Sequence, residues 1–198
     1  MRIVDAQVHI WASGTPSGDH RQVPAFTVEE LLAERDAAGV DAAVLHPPVS
    51  WDPGANALCE AAASRHPQRL CILGQVPLDQ PQTSRPLLAT WRERPGQCGL
   101  RYPLVRPDQH SWPFDGTMDW LWPAAEKAGL PVATMAWRFL PQFASIAERH
   151  PRLRLVIDHC GLIRHEKGAA AFAEVDAVTA LARFPNVALK ATGAPGYS

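Results

Sequence analysis

Seven short apolar runs recur at intervals of roughly 22 to 40 residues along the 198-residue chain, and each but the last is followed by a helical pattern. That alternation predicts an α/β fold of the TIM-type (β/α) barrel, incomplete, with seven of eight strands present. A doubly wound open sheet is the competing architecture, but no glycine-rich phosphate loop follows the first strand. The expected organisation is a single (β/α) barrel domain over residues 1–198 that lacks the eighth βα unit.

The first strand is read over Arg2–Trp11, where alternation puts Ile3, Asp5, Gln7 and His9 on one face and Val4, Val8 and Ile10 on the other. Residues 12–26, rich in Gly, Pro, Ser and His, form a long loop at its carboxyl end. Thr27 with Glu30 three residues on is the signature of a helix start, and Gly39 ends that helix. Asp41–His46 is the second strand, stopped by Pro47 and Pro48. A helix over about 56–65 leads to the strand Arg69–Gly74. Residues 84–94 read as helical, Gln97–Arg101 as the fourth strand, and 102–116 as a second long loop. A helix over about 118–127 ends at Gly129, Pro131–Ala136 is the fifth strand, and a helix through Phe143 and Ile146 ends near His150. Leu153–His159, a helix over about 169–183 and Asn186–Thr192 complete the series.

Composition narrows the function classes. A formal net charge of -1 offers no basic footprint for nucleic acid, and no run approaches the length of a membrane span. A cytoplasmic protein acting on a small-molecule carboxylate is expected, with neither nucleic acid nor membrane as partner, and an open barrel edge offers a second copy a place to pair. The four cysteines show no zinc-binding spacing.

Catalytic groups of a parallel barrel gather at the carboxyl ends of its strands. There the sequence places His9, His46, Arg101, Arg138, His159 and Lys190. His9 and His159 are the expected catalytic pair, because an imidazole can polarise a carbonyl, move a proton or bind a metal near neutral pH. Gln7 in place of a second first-strand histidine disfavours a tight metal site, since its amide oxygen is a weak ligand. Either no cofactor is required or one divalent metal such as zinc sits on His9 and His159. Arg101 suits a substrate carboxylate, with an internal ion pair as its alternative. An inward Lys190 needs a counter-charge, for which Asp5 is a candidate. Strand parity turns Asp158 away from His159, into a structural role.

The stretches IVDAQVHIW, LHPPVSWDPGANALCEAAASRHPQRLCILGQVPLD, GLRYPL, HPRLRLVIDHCG and NVALKATG resemble the amidohydrolase superfamily. The resemblance is to its amidohydrolase-related (family 2) group, which includes pyrone-dicarboxylate lactonase and aminocarboxymuconate-semialdehyde decarboxylase. It implies that Gln7 and His9 stand at the first-strand histidine pair, His159 at the sixth-strand histidine and Arg101 at the substrate-carboxylate arginine. The group's aspartate, a general base or metal ligand, follows an eighth strand, so no residue here is assigned that role. The reaction implied is hydrolysis of a lactone, ester or amide of a small carboxylate, with His9, His159 and Gln7 catalytic and Arg101, Lys190, His46 and Arg138 binding substrate. A metal-dependent decarboxylase of the same fold, and an inactive truncated barrel that binds without turnover, are the alternatives.

Overall fold

The computed structural model describes residues 1–18 and 20–193. Its strands are all in parallel pairs and follow chain order from the first to the seventh, so the fold is the incomplete (β/α) barrel the repeat predicts. The chain divides into two compact units, Met1–Gln75 with Thr90–Gly99, and Val76–Ala89 with the chain from Leu100 on.

The first unit holds β1 (Val4–Val8), α1 (Val28–Ala37), β2 (Ala42–Leu45), α2 (Ala55–Arg65), β3 (Leu70–Gly74) and the first half of β4 (Gln97–Tyr102). Thr27 and Glu30 exchange the expected capping-box hydrogen bonds, which satisfy donors that the first turn of α1 leaves open. Gly39, at φ 68°, supplies the left-handed residue that ends it. Ile10, Leu31, Leu45, Ala62, Ala63 and Ile72 form the core of this unit. β1 is shorter than the alternation suggests, because pairing with β2 shifts register between Asp5 and Val8. The apolar face assigned to Val4 is 49% exposed there, whereas Ile10 and Trp11 are buried beyond the strand end.

The second unit holds α3 (Pro81–Ala89), the rest of β4, α4 (Leu121–Ala128), β5 (Val132–Thr134), α5 (Leu140–Arg149), β6 (Leu155–Ile157), α6 (Gly168–Ala171), α7 (Val175–Thr179) and β7 (Val187–Leu189). Leu121, Val132, Phe139, Phe143 and Leu155 are among its buried side chains. Two elements differ from the sequence expectation. The helix expected over 169–183 is divided into α6, α7 and a 3-10 turn, Ala180–Arg183. The sixth strand stops at Ile157, and residues Asp158–Gly161 form a tight turn in which His159 and Cys160 take φ of 53° and 54°. That turn is tied down from β7: the Cys160 N–H donates to the Lys190 carbonyl (2.9 Å), and the Lys190 N–H donates to that of Ile157 (2.8 Å). No helix among the described residues is long and apolar enough to cross a membrane.

Candidate functional site

In the second unit the turn after β6 brings together three residues far apart in sequence. Arg101, on β4, donates through Nε to Asp158 Oδ2 at 2.7 Å, and Lys190 Nζ, just past β7, lies 2.6 Å from Oδ1. All three are buried. Burial by itself would raise the Asp158 carboxyl, but the two cations hold it below the usual carboxylate range. Lys190 is pushed down to about 8, first by burial and then by Arg101, against the opposing pull of Asp158. The counter-charge of Lys190 is therefore Asp158 and not Asp5, which instead pairs with Arg35 at 3.0 Å. Asp158 thus has the structural role expected of it, although the strand ends before it and left-handed backbone begins at His159. Non-glycine residues held in that region cost of order 1–3 kcal/mol each and concentrate at functional sites.

The same turn presents His159. Its Nδ1 lies 3.3 Å from the Thr192 carbonyl, to which it can donate, and 3.0 Å from Thr192 Oγ1. Burial, opposed by Asp158 and assisted by Arg101 and Lys190, lowers its pKa below the ordinary histidine value. The imidazole is thus neutral at neutral pH and able to accept a proton. Thr192 was not legible as a partner, since its role depends on how the chain leaves β7.

A small groove, open to solvent, lies beyond the carboxyl ends of β4 and β5. Leu104, Met135, Trp137 and Phe139 supply apolar wall, while Arg138, Arg164, His110 and His165 supply basic groups, with no acidic residue in the lining. The Arg138 guanidinium lies 4.2 Å from the centre of the Trp137 ring. Arg101, His159 and Lys190 do not line this pocket.

In the first unit, His9 follows β1 and donates from Nδ1 to the His46 carbonyl at 2.6 Å. His46, 1% exposed, donates in turn from Nε2 to the Ala6 carbonyl at 3.2 Å. Two residues without a role in the sequence reading join them. His20, from the loop, centres its ring 5.0 Å from His9 and 4.8 Å from Trp51, with Ser17 Oγ 2.7 Å from its Nδ1. The loop is anchored by paired backbone hydrogen bonds between Trp11 and Phe26 and by Asp52, which accepts from Ala12 N, Ser13 Oγ and Gly54 N. Gln7 sits on β1, its N–H donating to Asp5 Oδ1 at 3.0 Å.

Among the described residues no group of three or more His, Cys, Asp or Glu side chains is arranged to hold a metal ion. The donor set agrees with this. Asp158 is engaged by two cations, and Gln7 stands in place of an imidazole. The described residues thus offer a divalent metal no ready set of three donors.

Comparison with known proteins places these sites in context. A family model described as Amidohydrolase matches residues 4–197. An amidohydrolase from Burkholderia multivorans, solved with bound zinc, superposes with a TM-score of 0.75 at 19% identity, over 96% of this chain and 69% of that one. A probable 2-pyrone-4,6-dicarboxylic acid hydrolase from Acinetobacter baumannii, with citric acid bound, gives 0.73 at 18% identity, over 98% and 71%. A 5-carboxyvanillate decarboxylase from Novosphingobium aromaticivorans, complexed with manganese and 4-hydroxy-3-methoxy-5-nitrobenzoic acid, gives 0.61 at 14% identity, over 81% and 65%. A search of curated proteins finds no match. The match along nearly the whole chain, together with the parallel strands in chain order, means that this protein belongs to the amidohydrolase family.

Proposed function

We propose that the protein hydrolyses a lactone, ester or amide of a small carboxylic acid, without requiring a metal. The observation that carries this reading is a neutral, half-buried His159 beside the Arg101–Asp158–Lys190 cluster at the carboxyl ends of β6, β4 and β7. Hydrolysis needs a group that takes a proton from water and positive charge where an oxyanion develops. His159, fixed through Nδ1 by Thr192, supplies the first from Nε2. Lys190 and Arg101 supply the second, and Asp158 keeps both cations in place. The basic pocket, with Arg138 on Trp137, suits an anionic substrate with an apolar body.

In the first unit, His46 holds His9 in its tautomer through the 2.6 Å bond to its carbonyl. The test is a substitution series assayed for ester and lactone turnover. His159→Asn lowers kcat by about 10²- to 10⁴-fold, the usual worth of a positioned proton-transfer group. Undiminished turnover in His159→Asn refutes the assignment.

A further inference from the structure

The groove beyond β4 and β5 holds more positive charge than a single carboxylate needs. Its four basic groups arrive from three different turns of the second unit: His110 after β4, Arg138 after β5, and Arg164 with His165 after β6. The arginines around it are not equivalent. Arg106, in the same loop as His110, is neutralised by Asp108 at 2.6 Å. Arg138 is exposed and rests on the Trp137 ring, and among the described residues no carboxylate pairs with it. The backbone is shaped around the same groove. Four non-glycine residues among those described take left-handed φ. His159 and Cys160 form the turn after β6, and the other two, Leu104 at 52° and His165 at 73°, both line the groove. Such conformations persist where the surrounding structure holds them, and they cluster at ligand clamps. The loop carrying His165 is held by the Ile163 N–H, which donates to the Ala171 carbonyl of α6 at 3.0 Å.

We propose that the groove binds a phosphate monoester with an apolar body. A carboxylate is flat, carries one negative charge and satisfies one guanidinium fork. A phosphoryl group carries about −1.5 to −2 charges at pH 7 and directs three acceptor oxygens outward from one centre. That form suits basic groups that converge from three turns with no acid among them. Arginine is the side chain best matched to such oxygens, through its paired N–H donors. Trp137 and Phe139 then meet the apolar body. The proposal rests on the reading of this groove as the seat of an anionic substrate, but a binding measurement needs no turnover, so its failure is distinct from a failure of hydrolysis at His159.

The probe is phenyl phosphate, titrated calorimetrically into the full chain at neutral pH and low salt, beside benzoate and isophthalate as flat mono- and dicarboxylates of the same ring. One phenyl phosphate per chain is expected, bound about 10-fold or more tightly than either carboxylate. Arg138→Gln should weaken it by about 10-fold or more, and Arg164→Gln should weaken it as well. Arg183→Gln should bind like the parent chain, because that arginine stacks on Phe184 at 4.7 Å and does not line the groove. No binding of phenyl phosphate, equal binding of benzoate or isophthalate, or binding unchanged by Arg138→Gln overturns the proposal. Circular dichroism of each variant separates loss of the site from loss of the fold.

Discussion

Replacing Asp158 by Asn removes the one negative charge between two buried cations, and its consequence can be worked from the geometry. At 2.6 and 2.7 Å, each contact is worth about 6 kcal/mol of attraction at an effective dielectric of 20. Most of that offsets the cost of taking three charges out of water. What the variant loses is the compensation, not the gross attraction, and breaking a buried pair from one side typically costs about 3–5 kcal/mol. For a chain of this length that lowers Tm by roughly 6–20 °C. The loss should also depend on pH. Lys190 titrates at about 8, below its unfolded value of 10.5, so the unfolded chain binds more protons between those values and the parent protein gains stability as pH rises through that window. At pH 9.5 the amine is largely neutral in both proteins, only the Arg101 pair is broken, and the difference falls to about 2 kcal/mol. Urea unfolding at pH 7 and pH 9.5 measures both numbers. A loss below about 1 kcal/mol at pH 7, or the same loss at both pH values, refutes the reasoning.

Three further outcomes follow from the site. The pH dependence of kcat/KM should be bell-shaped, with an acid limb below 6.5 as the depressed His159 takes a proton and an alkaline limb near 8 as Lys190 loses one. An acid limb above 6.5 contradicts a base lowered by burial. Asp52→Ala should cost about 2–3 kcal/mol by removing an acceptor shared by Ala12, Ser13 and Gly54, and limited proteolysis should then cut within residues 12–26 faster. Because those bonds hold the Asp52 carboxyl below its ordinary range despite burial, its contribution is complete above that range and fades as pH falls through the lowered value. Gly14→Ala should destabilise by at least about 2 kcal/mol, since a Cβ there would lie 1.9 Å from the Trp51 carbonyl oxygen at a φ of +85°. Thermal unfolding of that variant, together with its Trp51 fluorescence, is the check.

Much of the fold was legible because it repeats. Apolar runs bounded by proline and glycine marked all seven strands, and the capping pair Thr27 and Glu30 marked a helix start. Arg101, His159 and Lys190 were legible from their places at or near strand ends. The partners of Asp158 were not legible, because it lies in a turn past the strand end, which the following glycine at φ 68° closes. Its position between Arg101 and Lys190 depends on contacts spanning 57 residues to Arg101 and 32 to Lys190, which no local pattern encodes. His20 was hidden for a similar reason: a loop rich in glycine and proline does not reveal which of its side chains folds back, and Ser17 and Trp51 decide it.

The central claim is hydrolysis at His159, and oxygen tracing tests it most directly. The full chain would be incubated in 18O-labelled water with a panel of lactones, esters and amides of small carboxylic acids, beside His159→Asn, and the released acids weighed by mass spectrometry. The account predicts one labelled oxygen in the new carboxylate of each processed substrate, and no product above background from His159→Asn. Loss of carbon dioxide without label, or equal labelled product from His159→Asn, contradicts it.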